Sequence, residues 1–248
     1  MTQSDKGAAL ITGASSGMGA IYADRLARRG HDLVLVARNI ARLEEVAARI
    51  TQATGRRIDV LAADLGDKAD LARVEAVLRT DPRLSILVNN AGVGATAPLL
   101  KSDVDEMSRM ISLDVDALMR LTYAAAPAFV GRGGGTIINI ASIVGVAPEI
   151  LNGVYGGAKA FVLAFSQSLR HELADKGLRV QVVLPGAVAT DFWGIAGTPV
   201  EHLPKAIVMS GEDVVDAASP AWTRASSSPC RRCRTPPTGR PTRRRARR

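Results

Sequence analysis

Short apolar runs alternate with longer amphipathic stretches over most of this chain. The runs of strand length lie at residues 8–11, 32–36, 58–62, 86–88, 136–140 and 180–184. Helical patterns fill the intervals at residues 17–29, 40–53, 68–78, 103–128 and 154–175, and a short one follows Gly211. Because parallel strands need a crossover between them, this repetition of strand and helix predicts an α/β fold with a doubly wound parallel sheet.

The length and composition of the chain fit one domain. The chain has 248 residues, 47% of them hydrophobic, which is enough for a sizeable core. We assign the domain to residues 1–218. No apolar run approaches the roughly 20 residues that span a bilayer, and residues 1–6 lack the pattern of a signal peptide. The sequence therefore predicts a cytoplasmic protein without a membrane segment.

A glycine-rich segment joins the first predicted strand to the first predicted helix. Gly13, Gly17 and Gly19 have the spacing Gly-x-x-x-Gly-x-Gly. Glycine permits a tight turn and close approach of the backbone to a ligand, and a helix N-terminus offers free N–H groups and a positive dipole end. The segment therefore predicts a phosphate-binding site, with a flexible turn as the alternative.

Tyr155 and Lys159 are four residues apart, so on a helix their side chains project from the same face. A tyrosine hydroxyl with its usual pKa of about 10 is a poor acid or base near neutral pH. A neighbouring ammonium favours the phenolate, and we therefore expect Lys159 to lower the pKa of Tyr155. The pair indicates acid–base chemistry, although the same spacing also occurs on solvated helix faces.

These motifs, taken together, resemble the short-chain dehydrogenase/reductase family. The resemblance rests on residues 12–19, residues 89–92 (Asn-Asn-Ala-Gly), Ser142, and Tyr155 with Lys159, and it extends over about residues 6–218. It implies a Rossmann-type domain and an oxidoreductase that interconverts a carbonyl and a secondary alcohol by hydride transfer. It also implies a homodimer or homotetramer. We expect no metal site.

The resemblance assigns roles to individual residues. Tyr155 exchanges a proton with the substrate oxygen, Ser142 orients that oxygen, and Lys159 tunes Tyr155 and holds the nicotinamide ribose. Asp114 stands where the family usually has Asn in a water-linked proton relay, and we expect this change to slow the relay without abolishing it. The residues expected to contact the cofactor are Gly13, Ser15, Ser16, Gly17, Met18, Gly19, Arg38, Asp64, Leu65, Asn90, Ala91, Gly92, Tyr155, Lys159, Pro185, Gly186, Val188 and Thr190.

The residues after the second predicted strand bear on the choice of cofactor. An acidic residue there would bind the adenosine ribose hydroxyls of NAD(H), whereas Arg accommodates a 2′-phosphate by charge-assisted hydrogen bonds. This chain has Ala37 and Arg38, which favours NADP(H) over NAD(H) unless Arg38 points into solvent. Apolar residues in the segments that shape the substrate pocket, such as Val144 and Trp193, hint at an apolar carbonyl or alcohol substrate.

Residues 219–248 differ in composition from the rest of the chain. They are rich in Pro, Ser, Thr and Arg and hold 10 of the 32 basic residues but none of the 24 acidic ones. Residues 1–218 have 22 basic and 24 acidic residues, or −2, so the formal charge of +8 is positive only because of this segment. We expect it to be disordered. It is open to three interpretations: a basic arm for nucleic acid, a metal or redox element at Cys230 and Cys233, or a segment translated out of frame.

The out-of-frame interpretation explains most of this segment. Back-translated into G/C-rich codons and read one nucleotide earlier, it can yield LAGLDQGELVTMPSLPDAADWAAYEAARQ, which looks like an ordinary ending for the family. The family's seventh strand, part of the substrate lid and a subunit contact would then be missing, which would expose a sheet edge and impair assembly. The alternatives to an active reductase are therefore a catalytically impaired nucleotide-binding protein and, less favoured, nucleic-acid binding through the basic arm.

Overall fold

The computed structural model describes residues 6–219, and its centre is a parallel sheet of six strands. The strands are β1 (Ala8–Thr12), β2 (Asp32–Ala37), β3 (Ile58–Ala62), β4 (Leu84–Asn89), β5 (Gly135–Ile140) and β6 (Leu178–Val183). They lie in the order β3-β2-β1-β4-β5-β6, and every neighbouring pair is parallel. The strand order changes direction between β1 and β4, which confirms the predicted doubly wound, Rossmann-type α/β fold.

Helices cover both faces of this sheet. They are α1 (Gly17–Arg28), α2 (Ile40–Thr54), α3 (Lys68–Thr80), α4 (Val104–Ile111), α5 (Leu118–Gly131), α6 (Gly153–Leu173), α7 (Phe192–Ile195) and α8 (Gly211–Ala218). On one face, buried side chains of α3, α5 and α6 pack around Leu10 and Phe129. On the other face, those of α1, α2 and α8 pack around Ile11 and Leu35. The central strands are nearly continuous apolar runs because both of their faces are buried.

Buried polar side chains tie the centre of the sheet to the helices behind it. The Asn89 amide of β4 donates to Thr122 Oγ1 of α5 at 3.1 Å and to Asn139 Oδ1 of β5 at 2.9 Å. The Asn139 amide donates in turn to Ser166 Oγ of α6 at 2.9 Å. Burying such groups is tolerable because they are hydrogen-bonded to one another. The network fixes β4 and β5 relative to α5 and α6.

The predicted helix over residues 103–128 is interrupted in the structure. Helix α4 ends at Ile111, a π-helical turn follows at Ser112–Ala117, and α5 then continues to Gly131. A π-helical turn widens the backbone locally and is frequent at functional sites. Asp114 lies within this turn and is only 1% exposed. Helical periodicity predicted the helix but not its interruption.

A small second sheet and a short helix follow β6 in the chain. Strands β7 (Ala187–Val188) and β8 (Val208–Met209) pair in parallel, and α7 lies between them in sequence. The sequence patterns did not predict these elements because each is only two to four residues long. They supply several of the apolar side chains described below.

Some predictions concern residues outside 6–219, the assembly of the protein or its location. The tail from residue 220 onward lies outside the described residues, so its disorder, its possible frame change and the loss of a seventh strand stay hypotheses. The homo-oligomer and the cytoplasmic location also stay predictions. Within residues 6–219, no helix is long and apolar enough to cross a membrane.

Replacing Asn139 by Ala is expected to lower the free energy of unfolding by about 1–3 kcal/mol, because Asn89 and Ser166 each lose a partner in a buried site. Urea unfolding followed by circular dichroism measures the change. The matched control is Ser168→Ala, which removes an exposed hydrogen bond to Glu172 within α6 and should cost less than about 0.5 kcal/mol. Equal stability of Asn139→Ala and the parent would contradict the role of the network.

Candidate active site

The glycine-rich turn between β1 and α1 depends on the absence of side chains. Gly13 and Gly17 have φ angles of 65° and 52°, a conformation that favours glycine. A Cβ at Gly19 would lie 2.2 Å from the Gly13 carbonyl oxygen, so a larger residue would push the turn apart. Ser16, which precedes α1, is extended and its side chain makes no capping hydrogen bond. The first N–H groups of α1 are therefore left uncapped by Ser16 and suited to an anion.

Thr12 and Asn90 join this turn to the segment after β4. The Asn90 side-chain amide donates to Thr12 O at 2.9 Å and to Gly13 O at 3.3 Å. The Thr12 hydroxyl accepts from the backbone N–H groups of Asn90 and Ala91, both at 3.0 Å. Two motifs that are far apart in the sequence thus form one hydrogen-bonded unit.

A cleft of about 390 Å³ lies along these segments at the carboxyl ends of the strands. Twelve of the residues predicted to contact the cofactor line it, namely Gly13, Ser15, Ser16, Gly17, Met18, Arg38, Asp64, Leu65, Asn90, Ala91, Gly92 and Thr190. Gly19 is not among its lining residues and instead allows the turn to close. The position of the cleft is the one expected for a ligand of a doubly wound sheet.

Two arginines line this cleft near the end of β2. Arg38 is exposed, and Arg42 follows it by four residues. The Arg42 backbone N–H donates to Asn39 Oδ1 at 3.1 Å, and its guanidinium lies 3.9 Å from the carboxylate of Asp191. The sequence analysis missed Arg42, although two cations four residues apart at a strand end could have pointed to it.

A second cavity, of about 360 Å³, adjoins the cleft. The predicted site residues Ser142, Tyr155, Lys159, Pro185, Gly186 and Val188 line it. Five residues line both spaces, which are therefore contiguous: Met18, Asn90, Gly92, Thr190 and Phe192. Much of the remaining wall is apolar and includes Ile143, Val144, Ile150, Leu151, Trp193, Leu203 and Ile207. The structure thus brings the predicted site residues together around the cleft and the second cavity. Gly19 and the buried Asp114 line neither space and lie behind the residues that do.

Tyr155 is fixed on the first turn of α6. Asn152 caps this helix, because its Oδ1 accepts from the N–H groups of Val154 at 2.9 Å and Tyr155 at 3.3 Å. The Asn152 amide also donates to Ala97 O at 2.6 Å, which anchors the start of α6 to the loop after β4. The Tyr155 side chain is buried, and the Ser142 hydroxyl is within hydrogen-bonding reach of its oxygen.

The pKa of Tyr155 is raised above its usual value, although the Lys159 ammonium acts to lower it, as expected. Burial is the largest cause, because it disfavours the charged phenolate. The Lys159 ammonium and a hydrogen bond with Ser142 both lower this pKa, but the Asp114 carboxylate raises it. The spacing along the helix pointed to Lys159 as a neighbour of Tyr155. It could not show that Tyr155 is buried or that the Asp114 carboxylate acts on it.

Lys159 and Asp114 form a buried ion pair. Lys159 Nζ lies 3.0 Å from Asp114 Oδ2, and the two side chains are 8% and 0% exposed. The ammonium also donates to Ile140 O at 3.3 Å and lies 5.7 Å from the centre of the Tyr155 ring. Asp114 Oδ1 accepts from the Val93 N–H at 2.9 Å. Burial lowers the pKa of Lys159, but Asp114 and Tyr155 outweigh it and leave the pKa above its usual value, so Lys159 stays protonated.

Phe192 lies where the cleft and the second cavity meet. The centre of its ring is 5.8 Å from that of Tyr155, and the ring covers Gly94 so closely that a Cβ there would lie 2.2 Å from Phe192 Cζ. The N–H and the hydroxyl of Thr96 both donate to Ala196 O, at 3.1 and 2.9 Å, which holds α7 in this place. Gly94 belongs to none of the motifs, and the sequence analysis missed it.

Sequence comparisons identify the class of protein that has this fold and site. The family described as short chain dehydrogenase matches residues 7–198. An uncharacterised oxidoreductase of Staphylococcus epidermidis is 32% identical over 219 residues, which cover 88% of this chain and 91% of that protein. The very-long-chain 3-oxoacyl-CoA reductase of Anas platyrhynchos is 36% identical over 187 residues, or 73% of this chain, and the match spans 60% of the length of that protein.

Solved structures agree with the sequence comparisons. A short-chain dehydrogenase from Sphingobium yanoikuyae in complex with NADPH has a TM-score of 0.85 and 50% identity, with 87% of this chain and 84% of that chain covered. The bulky-bulky ketone specific alcohol dehydrogenase from Comamonas testosteroni has a TM-score of 0.80 and 44% identity, with 87% and 82% covered. This chain therefore belongs to the short-chain dehydrogenase/reductase family of NAD(P)-dependent oxidoreductases.

Gly19→Ala is expected to weaken binding of the nicotinamide dinucleotide by about tenfold or more, because the new methyl group would displace the turn that presents the helix N-terminus. Calorimetric titration with NADPH measures the change. Gly131→Ala is the matched control, since a Cβ at that helix end meets nothing within 4 Å and should leave binding unchanged. Undiminished binding by a folded Gly19→Ala protein would contradict the assignment of the cleft.

Proposed function

We propose that this protein is an NADP(H)-dependent reductase that interconverts a ketone and a secondary alcohol, with Tyr155 as its acid–base group. The observation that carries the proposal is the position of Tyr155, Ser142 and Lys159 on the wall of an apolar cavity that opens into the nucleotide cleft. A group that exchanges a proton with the substrate must lie within hydrogen-bonding reach of the reacting oxygen. This wall is where an oxygen of a bound ketone meets both hydroxyls.

The cleft fits a dinucleotide because the backbone along it lets a ligand approach closely. Gly13, Gly17 and Gly19 leave room where side chains would intrude, and the uncapped start of α1 suits a pyrophosphate. Lys159 is the residue that would hold the nicotinamide ribose. Pro185, Gly186, Val188 and Thr190 would contact the nicotinamide ring, which when bound supplies or accepts the hydride.

The residues of the chain handle the proton and the orientation of the substrate. In the reductive direction the Tyr155 O–H bond breaks and its proton goes to the carbonyl oxygen, and in the oxidative direction the Tyr155 oxygen takes the proton of the alcohol. Ser142 donates a hydrogen bond to the same substrate oxygen and so orients it. The apolar walls of the cavity exclude water from the reacting group.

The preference for NADP(H) is part of the proposal. Ala37 places no carboxylate at the end of β2, and Arg38 and Arg42 line the same side of the cleft. Guanidinium groups bind phosphate by charge-assisted and often bidentate hydrogen bonds, which suits a 2′-phosphate. The NADPH in the complex of the Sphingobium yanoikuyae enzyme supports this choice.

We further propose an apolar and bulky ketone as the substrate class. The wall of the second cavity is largely apolar and includes Ile143, Leu151 and Trp193, so a charged substrate would lose its hydration without gaining a partner there. The description of the Comamonas testosteroni relative as bulky-bulky ketone specific supports the same class. Phe192, held on Gly94, limits the cavity on the side of the cleft.

Tyr155→Phe is expected to lower kcat for NADPH-dependent ketone reduction by about 10²-fold to 10⁴-fold, which is the usual contribution of a positioned acid. NADPH binding should be retained, because the ring still packs against Phe192 and Lys159. Initial rates with a panel of aryl ketones and calorimetric titration with NADPH measure the two properties. Tyr123→Phe, at an exposed tyrosine of α5, should behave like the parent. Full activity of Tyr155→Phe would refute the proposed role.

Arg38→Ala is expected to raise KM for NADPH by about tenfold to a hundredfold, because a charge-assisted hydrogen bond to phosphate contributes roughly 1.5–3 kcal/mol. KM for NADH should change by less than about threefold, since NADH has no 2′-phosphate for Arg38 to bind. Steady-state kinetics with both cofactors give the ratio. Arg49→Ala, an exposed position on α2 outside the cleft, is the control. An equal effect on both cofactors would contradict the preference for NADP(H).

A further inference from the structure

Asp114 and Lys159 place a carboxylate next to the ammonium that faces Tyr155. Burial raises the pKa of Asp114, while the Lys159 ammonium and the hydrogen bond from the Val93 N–H act to keep it ionised. The carboxylate and ammonium are 3.0 Å apart, and neither side chain is more than 8% exposed. Solvent screens such a pair far less than a pair at the surface. Both charges therefore act on the Tyr155 hydroxyl, and neither can be considered without the other.

The structure holds Asp114 in place from two sides. Its Oδ1 accepts from the Val93 N–H at 2.9 Å, while its Oδ2 faces Lys159. The π-helical turn at Ser112–Ala117 directs this side chain inward, whereas Asp116 in the same turn is exposed. Turning Asp114 away from Lys159 would break both the hydrogen bond from the Val93 N–H and the ion pair, in a buried site.

Three groups other than solvent act on the ionisation of Tyr155. Lys159 reaches it from the same helix, Asp114 from the π-helical turn, and Ser142 from the end of β5. The side that faces α7 is covered by the uncharged ring of Phe192. The charge balance at the hydroxyl is therefore set by one ammonium and one carboxylate.

We propose that Asp114 is a positioning residue which offsets the charge of Lys159 at Tyr155, so that Tyr155 stays protonated at neutral pH and the site is suited to reduce ketones rather than to oxidise alcohols. This inference rests on the proposed function, because it concerns the same proton. A lone buried ammonium would stabilise the phenolate, whereas an ammonium paired at 3.0 Å acts on Tyr155 as part of a dipole with a much weaker field.

The sign of the pH dependence follows from the proton that each direction needs. Reduction needs the Tyr155 O–H and is lost as the pH rises through the pKa of Tyr155, while oxidation needs the phenolate and appears over the same range. Burial and Asp114 both raise this pKa above its usual value. Ketone reduction should therefore persist into the alkaline pH range. Alcohol oxidation should become fast only in that range, as the pH approaches the pKa of Tyr155.

Asp114→Asn tests the inference, because it removes the charge and keeps both the size and an oxygen for the Val93 N–H. The alkaline limb of kcat/KM for NADPH-dependent reduction of propiophenone should move down by about one pH unit or more. The alkaline rise of 1-phenylpropanol oxidation with NADP⁺ should move down by the same amount. A loss of stability alone would lower rates without moving either limb. Asp116→Asn, on the exposed side of the turn, should leave both limbs where they are in the parent.

A titration of phenolate absorbance decides the inference even where no turnover is seen. The phenolate absorbance of Tyr155 is obtained by subtracting the titration of the matching Tyr155→Phe variant. We expect Tyr155 to titrate above the usual tyrosine pKa in the parent and at a lower pH in Asp114→Asn than in the parent. A parent Tyr155 that titrates near neutral pH, or the same titration in both proteins, would overturn the inference. Absence of ketone reduction by a parent that binds NADPH would instead refute the proposed function, and the titration would still report on Asp114.

Discussion

The buried ion pair between Lys159 and Asp114 is the interaction on which the geometry of the site depends. Its two side chains, together with Val93 and Ile140, connect α6, the π-helical turn, and the segments at the ends of β4 and β5. Removing two charges from water is costly, and their attraction offsets that cost only if the remaining donors and acceptors also find partners. Both side chains have such partners, so the pair requires these four segments to meet in one arrangement.

The cleft at the carboxyl ends of the strands has a similar dependence on close backbone contacts. Asn90 and Thr12 join the turn after β1 to the segment after β4, and Gly19 lets the turn fold onto its own carbonyl. The network through Asn89 and Asn139 holds β4 and β5 against the helices from which Lys159 projects and beside which Asp114 lies. The cleft and the apolar cavity therefore open onto each other at a fixed place, beside Tyr155.

Much of the fold and site could be predicted from the sequence because the signals were local. The six apolar runs became the six strands of the main sheet, and glycine spacing, Asn90, Ser142 and the Tyr155 pair each lie after a strand or on the helix that follows. The π-helical turn could not be predicted, since apolar residues keep the same approximate period through it. Strands and helices of two to four residues are also too short to show a period.

The other features that could not be predicted depend on contacts between residues that are distant in the sequence. The sign of the change in the pKa of Tyr155 depends on burial and on Asp114, which lies 41 positions before it. The packing of Phe192 on Gly94 joins two loops that no motif links. Arg42 became a candidate only when the structure placed it in the cleft with Arg38. In each case both residues are in the sequence, but the sequence does not show that they lie next to each other in the fold.

We propose that the cofactor in the cleft and a ketone in the apolar cavity meet beside Tyr155. The most direct test is the transfer of deuterium from NADPH deuterated at nicotinamide C4 to an aryl ketone, followed by mass spectrometry of the product. We expect an alcohol with deuterium on its carbinol carbon, formed by the parent and almost absent with Tyr155→Phe. A parent that binds NADPH tightly but forms no deuterated alcohol from any ketone of an apolar panel would contradict it.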